Sequence, residues 1–401
     1  MEGIFTLAMW VSLMALAIPT VTFVLEVLLG LRGRPAARAS ENLRVLPKSR
    51  VAVVVPAHNE SAGIPATIVA IREQLRPGDR LLIVADNCHD DTAAVARALG
   101  AEVTERFDDL RRGKGYALDH GVFVLRQDPP DMILMVDADC ILQPGGLAAL
   151  AGRCGELVRP IQAQYLMRAP AGASVKTKVA ELAWLVKNRV RPLGASRLGW
   201  PCQLTGSGMM FPWSLIDKAP LASGHLVEDM QLGAWLAQQG AAPVYCDEAL
   251  VTSVFPSEDG SLAAQRQRWE HGHLALILSQ GPRMISQALL GRRWALLGMA
   301  LDMCVPPLTS LILLLTLLLP LALLHAFVLG GGLLVSCAAL MLSAVGVAVG
   351  SAWWAHGRQV VSSSELAAVP AYALSKISVY AGFMVRRQMS WVRTGRDHES
   401  K

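Results

Sequence analysis

Three short polar clusters in this chain have the residue types and spacing to do chemistry: Pro56-Ala57-His58-Asn59-Glu60, Asp86-Asn87 and Asp137-Ala138-Asp139. The last sets two carboxylates one residue apart, hard oxygen ligands suited to Mg²⁺ or Mn²⁺. An acidic edge repels a diphosphate unless a divalent cation bridges the two. A metal-bound nucleoside diphosphate is therefore the guest these residues fit. A dinucleotide cofactor does not fit, because no G-x-G-x-x-G follows the first strand. Gly113-Lys114-Gly115 lacks the spacing of a Walker loop. Glu228-Asp229 precedes a helical stretch, 230–239. A carboxylate there opposes the helix dipole. His271 and His273 read as solvated or head-group contacts rather than metal ligands.

Those clusters need elements to hold them on one edge. Residues 50–255 alternate short apolar runs with helical patterns, the signature of an α/β layout around a mostly parallel sheet. Strands are predicted at 51–55, 81–85, 101–105 and 132–136, and helices at 61–75 and 92–99, the second stopped by Gly100. Each cluster follows the carboxyl end of a predicted strand, where open α/β sheets bind ligands.

The rest of the chain is of another kind. None of the 37 basic and 32 acidic residues falls in 3–25 or 303–357. A hydrocarbon core needs about 20 apolar residues in a helix. The first gap therefore fits one uncleaved span, and the second fits two, with Gly330-Gly331-Gly332 as the hairpin turn. Arg32, Arg34 and Arg38 follow the first span, which puts the large domain in the cytoplasm by the positive-inside rule. Stretches 175–190, 284–297 and 366–384 are expected to lie in the membrane interface; for the first, packing on the soluble core is the open alternative, and for the third, which Lys376 interrupts, a fourth span is. The predicted domains are an anchor at 1–31, a cytoplasmic domain at 32–280, an interfacial helix at 281–302, two spans at 303–357 and an interfacial helix with tail at 358–401. Such a composition excludes a free cytosolic enzyme, a disordered chain and a pure transporter. The net charge of +5 offers no nucleic-acid footprint. Seven cysteines without a C-x-x-C pair read as reduced thiols.

An ordered set of motifs carries a resemblance: VVVPAHNE at 53–60, ADNCHDDT at 85–92, KGYALD at 114–119, VDADC at 136–140, TGSGMMF at 205–211, VED at 227–229 and QRQRW at 265–269. With spans on both sides, the chain resembles membrane-bound family 2 glycosyltransferases such as the cellulose, hyaluronan and poly-N-acetylglucosamine synthases and the ceramide glucosyltransferases. It looks most like bacterial exopolysaccharide enzymes. The resemblance implies a GT-A (Rossmann-like) domain inserted between transmembrane helices. It implies that Pro56, His58, Glu60 and Asp86 surround a uridine and that Lys114 lies near the nucleotide. Asp137 and Asp139 would form the D-x-D pair, with Asp139 most directly on the metal. Asp229 would be the general base. Gln265, Arg268 and Trp269 match Q-x-x-R-W, where arginine meets the diphosphate and tryptophan shapes the acceptor end. The chain departs from the pattern with V-E-D for T-E-D, and with T-G-S-G for F-F-C-G-[ST].

The expected function is inverting, metal-dependent transfer from a UDP-sugar to a lipid-linked or growing polysaccharide acceptor at a bacterial inner membrane. Membrane lipids, and other membrane proteins of polysaccharide assembly, are the expected partners. Transfer of one sugar to a membrane lipid is the alternative enzyme reading. A non-catalytic nucleotide-sugar-binding scaffold is the third; it would tolerate loss of a carboxylate, and Asp137, Asp139 and Asp229 are all present.

Overall fold

The computed structural model describes residues 2–32, 49–256 and 259–367, with backbone alone at 259–264, together with 369, 373, 374, 377, 379, 380 and 382. From the N-terminus come α1 (Glu2–Leu31), β1 (Val51–Ala57), α2 (Ile64–Arg72), β2 (Arg80–Asp86), α3 (Thr92–Ala98), β3 (Glu102–Arg106) and α4 (Lys114–Leu125). Next are β4 (Met132–Met135), β5 (Ile141–Leu142), α5 (Gly146–Leu157), β6 (Ile161–Arg168), α6 (Val175–Leu185), a π-turn (Val186–Val190) and α7 (Arg191–Arg197). Then β7 (Met209–Pro212), α8 (Trp213–Ile216), α9 (Glu228–Gln238) and β8 (Val244–Val254) lead into α10 (Asp259–Leu290). The chain continues through α11 (Trp294–Met303), α12 (Leu308–Leu329), α13 (Leu333–Ala352) and α14 (Ser363–Leu366). It forms two compact units, and it passes from one to the other within α10, at Gly272 and His273.

One unit is built on an eight-stranded sheet of order β3-β2-β1-β4-β7-β6-β8-β5. Its strands share one direction except β7 and β5, so it is mostly parallel, as expected. Residues 51–55 of β1 are wholly buried, as a central parallel strand covered on both faces must be. Leu118, Val122 and Leu125 of α4 and Leu232 and Leu236 of α9 join Val54, Val84 and Ile133 of the sheet in one core. Burial of each such side chain contributes about 1.5–3 kcal/mol. Gly121 is what lets α4 lie so close, since a Cβ there would sit 2.8 Å from the Val54 side chain. Helix α2 begins at Ile64 rather than 61, because 61–63 turn first and Pro65 then fills the first helical turn. Gly100 ends α3 at φ +77°, the left-handed position foreseen for it.

The other unit is helical. Among the described residues it contains three helices long and apolar enough to cross a membrane: Glu2–Leu31, Leu308–Leu329 and Leu333–Gly357. The chain turns between the last two at Gly330 and Gly331, both at positive φ. The stretch Gly172–Trp200, expected within the cytoplasmic domain, groups with these helices. Leu182, Leu185, Val186 and Val190 are buried in one core with Phe23 and Val27 of α1, Leu311 and Leu315 of α12, and Val345 and Ala348 of α13. The second expected interfacial stretch, 284–297, is divided between α10 and α11 by a turn with Arg292 at φ +51°. The third, 366–384, falls largely outside the described residues.

A buried ion cluster joins α1, α7 and α11 in this unit. Arg191 donates through Nε to Glu26 at 2.7 Å and through Nη2 to Asp302 at 2.5 Å. Glu26 is 0% exposed. The helices approach closely because two glycines permit it: a Cβ on Gly30 would strike the Val190 carbonyl, and one on Gly194 the Glu26 carbonyl.

Candidate functional site

Strand order puts the carboxyl ends of β2, β1 and β4 side by side, and with them the three polar clusters. At β1, Pro56 is followed by His58, whose Nδ1 donates to the Asp86 carbonyl at 2.7 Å. Asn59 takes a positive φ of 54°, and its side chain accepts from the His89 amide at 2.7 Å. The Glu60 amide donates to Thr92 Oγ1 at 2.8 Å, and Glu60 itself is buried. The turn after β1 is thus fastened to the turn after β2.

Asp86 is held on one oxygen. Its Oδ1 accepts from Arg106 Nη1 at 2.6 Å and from Asn87 Nδ2 at 3.2 Å. Arg106 also reaches Asp108 at 3.0 Å, and its guanidinium carbon stands 5.6 Å from the centre of the Tyr116 ring. Arg106 leaves only a faint trace in the sequence, a lone arginine at the carboxyl end of a predicted strand, level with an aspartate one strand over.

The D-x-D turn is anchored from both sides. Thr67 of α2 donates to the Ala138 carbonyl at 2.8 Å, and the Asp137 amide donates to Ser207 Oγ at 3.1 Å. Asp137, Asp139 and Cys140 have ligand atoms within 4.8 Å of one another, the one such group among the described residues. Burial pushes the Cys140 thiol well above its usual range, and sulfur is the softer donor, poorly matched to Mg²⁺ or Mn²⁺. What remains is a pair of hard carboxylates, an incomplete oxygen set of the kind a divalent cation completes with water and phosphate oxygens. The residues present fit Mg²⁺ or Mn²⁺.

The loop 205–208 is the meeting point. Gln162, 1% exposed on β6, clamps it by accepting from the Thr205 amide at 2.9 Å and donating to the Ser207 carbonyl at 2.9 Å. Gln162 likewise leaves only a faint trace, a glutamine inside a buried strand run. Lys114, first residue of α4, donates to the Gly206 carbonyl at 2.8 Å and pairs with Asp137. Gly206 has φ +91°, and a Cβ there would lie 3.4 Å from Asp229 Oδ2, 3.5 Å from Lys114 Nζ and 3.9 Å from Asp137 Oδ2. Three residues distant in sequence therefore converge on one bare α-carbon. The close seat of α4 depends on Gly115, whose Cβ would come within 2.6 Å of the Leu221 and Ser223 carbonyls.

The electrostatics follow. Burial alone would lower Lys114, but Asp137, Glu228 and Asp229 outweigh it and hold the ammonium above its ordinary value. Glu228 is pushed up to about 7 by burial and by Asp229, against the pull of Lys114. One lysine thus faces three carboxylates, a surplus of negative charge. Asp229 lies in the first turn of α9. The helix carrying Gln265, Arg268 and Trp269 is brought to the same neighbourhood: at Gly272 a Cβ would touch the Val227 side chain at 2.8 Å. Those three residues are partly exposed.

His271 and His273 depart from expectation. Both are buried, because α10 runs unbroken past them instead of ending at a wet surface. His273 Nε2 donates to the Met303 carbonyl at 3.0 Å, and burial drives its pKa down to about 3. All seven cysteines are free thiols, as read from their spacing.

Residues 47–272 match the family described as "Glycosyltransferase like family 2". An uncharacterized glycosyltransferase of Mycobacterium tuberculosis is 30% identical over 194 residues, covering 44% of this chain and 82% of the relative. A probable glycosyltransferase of Bacillus subtilis is 33% identical over 111 residues, covering 25% of this chain and 24% of that one. Among solved structures, a mannosyltransferase of Pyrobaculum calidifontis, in complex with GDP-Man and Mn²⁺, superposes with a TM-score of 0.54 at 16% identity, over 94% of this chain and 99% of that one. A mostly parallel sheet with a carboxylate pair at its carboxyl edge defines the class. The chain belongs to the family 2 glycosyltransferases and is an enzyme of that family, with the GT-A type of mixed sheet and flanking helices. The narrower likeness to cellulose and poly-N-acetylglucosamine synthases is not singled out by these matches.

Proposed function

We propose that this glycosyltransferase moves a sugar from a UDP-sugar to a membrane-associated acceptor, with inversion, at the cytoplasmic face of a bacterial inner membrane, in exopolysaccharide assembly. The convergence of Asp229, Lys114 and Asp137 on Gly206 carries this reading, because it sets a base, a cation and a metal-binding carboxylate around one open point. Asp229 takes the acceptor proton during attack. A single base with in-line displacement inverts the anomeric centre, unlike the two-carboxylate route of retaining glycosidases. Lys114 and Arg268 supply positive charge toward the diphosphate. A divalent ion held by Asp137 and Asp139 would neutralise charge on the departing diphosphate. Gln265 and Trp269 shape the acceptor end, where a flat apolar ring can lie against a sugar.

Pro56, His58, Glu60 and Asp86 form the base-binding edge. Because Arg106 and Asn87 already occupy Asp86 Oδ1, the carboxylate has one oxygen left to accept from a base. That suits the single N–H of uracil better than the paired donors of guanine, although the Pyrobaculum enzyme was solved with GDP-Man. The membrane-length helices support an acceptor that is lipid-linked. The three such helices among the described residues are few to enclose a polymer channel, which favours single addition to a lipid, or a pore shared with partner membrane proteins.

UDP release by the full-length protein, measured over a panel of nucleotide sugars with Mn²⁺ and then with EDTA, tests the reading. Turnover that persists in EDTA removes the metal role. A single-sugar lipid product on a gel, against a polymer ladder, separates the two acceptor readings.

A further inference from the structure

The helical unit contains a polar site that glycosyl transfer does not use. Residues 172–200 hold six basic side chains and one acidic one, Glu181. Most are spoken for: Arg191 is taken up by Glu26 and Asp302, Lys178 pairs with Glu365 at 2.7 Å, and Lys187 stands 5.7 Å over the Trp184 ring. The π-turn Val186–Val190 is different. Asn188 is 2% exposed, yet neither its Nδ2 nor its Oδ1 has a hydrogen-bond partner among the described residues. The adjoining Arg189 Nε is likewise buried and without a hydrogen-bond partner there. Buried amides are costly unless paired. π-turns recur at functional sites because the widened turn frees backbone and side chains for another partner.

The depth of this turn is set by the close contacts described above. Val190 lies against Gly30 and Gly194 against Glu26, so α7 runs antiparallel to α1. The π-turn therefore sits at the carboxyl end of α1, the end closed by Arg32. A basic residue at the end of a span, with Trp184 nearby, marks head-group depth. A ligand here must reach in from the head-group layer, accept from Asn188 Nδ2 and Arg189 Nε, and offer a donor to Asn188 Oδ1.

We infer that the Asn188–Arg189 π-turn is a binding site for the phosphate head group of a membrane lipid. Phosphate oxygens answer the two donors, and a head-group hydroxyl or ammonium answers the carbonyl. The same chemistry is offered by a bulk phospholipid or by a polyprenyl phosphate.

The test uses the full-length protein in detergent, with lipid binding read by native mass spectrometry. Phosphatidylglycerol, polyprenyl monophosphate, diacylglycerol and inorganic phosphate serve as probes. Both phosphate lipids should bind about tenfold or more tightly than diacylglycerol, and Asn188→Leu should lose about tenfold for them alone, as expected for lost hydrogen bonds. Arg189→Gln should lose a smaller factor. A preference for one phosphate lipid assigns the source, and equal binding assigns the bulk lipid; either supports the site. Unchanged lipid binding in both variants, or diacylglycerol binding as tightly as the phosphate lipids, overturns it. Inorganic phosphate that competes at the lipid concentration would mean a soluble-anion site and overturns the lipid assignment. Asn188→Leu should melt no lower than wild type without lipid, since an apolar isostere of an unpaired amide is near neutral; should it unfold, Arg189→Gln carries the test.

Discussion

Each unit of this protein holds a cluster of opposite charges, and the two are built for different ends. In the helical unit one arginine, Arg191, meets two carboxylates through separate nitrogens of its planar fork, with the Phe23 ring 5.9 Å from its guanidinium carbon. In the sheet unit one lysine, Lys114, faces Asp137, Glu228 and Asp229 at an open strand edge, where it and Asp137 are 22% and 26% exposed. Arginine's rigid donors fix partners in place, whereas an ammonium is a mobile point charge. The first cluster is closed on itself. The second keeps more negative charge than it neutralises, a state that suits the arrival of a cation and a phosphate.

Substitutions can break this contrast in order of size. Asp229→Asn should lower transfer about 10²–10⁴-fold while UDP still binds, as measured by turnover and by calorimetry. Transfer near the wild-type rate would assign the base elsewhere. Arg191→Leu should cost about 3–5 kcal/mol of stability in detergent, because it strands two buried carboxylates. Replacing Glu26, Arg191 and Asp302 together by apolar residues should recover most of that loss. Asp139→Asn should sharply weaken Mn²⁺ binding read by paramagnetic relaxation, and Asp302→Asn should leave it unchanged; equal effects would erase the distinction between the clusters.

Smaller effects sharpen the sheet-unit half. Gly206→Ala should cost on the order of 1–3 kcal/mol in backbone strain and slow turnover more than it weakens UDP binding, since its methyl would enter the space among Asp229, Lys114 and Asp137. Glu228 gives a pH signature in the metal-free protein. Its pKa rises from an ordinary value near 4.5 to about 7 in the fold. Between those values the folded state holds more protons than the unfolded one, so stability falls as pH rises from about 4.5 to about 7. Glu228→Gln should flatten that slope in melting curves taken across the window.

How much of this was legible in the sequence depends on how local the signal is. Strands β1, β2 and β4 show as uninterrupted apolar runs because both their faces are covered, and the polar clusters stand out directly after them. Strands β5 to β8 left weaker marks: β5 is two residues long, and β8 mixes exposed and buried positions. The helix at 175–190 was readable from the spacing of Val179, Leu182, Val186 and Val190. Its partners were not, because periodicity reports that a face is apolar and not what covers it. Arg106, Gln162 and Gly206 left only faint marks for a related reason, since their main partners, Asp86, the 205–207 loop and the Lys114–Asp137–Asp229 group, are far from them in sequence.

The sequence alone determined the division into charged and uncharged stretches, the three membrane-length helices and the placement of carboxylates after strands. Those properties depend on residue type and near-neighbour spacing, which water and hydrocarbon read directly. Tertiary structure decided the rest: the order of the strands, the joining of 172–200 to the span helices, and the approach of Lys114, Asp137 and Asp229 to a glycine that has no side chain to separate them. Such pairings depend on backbones meeting across long stretches of chain, and only the packed molecule brings them within reach.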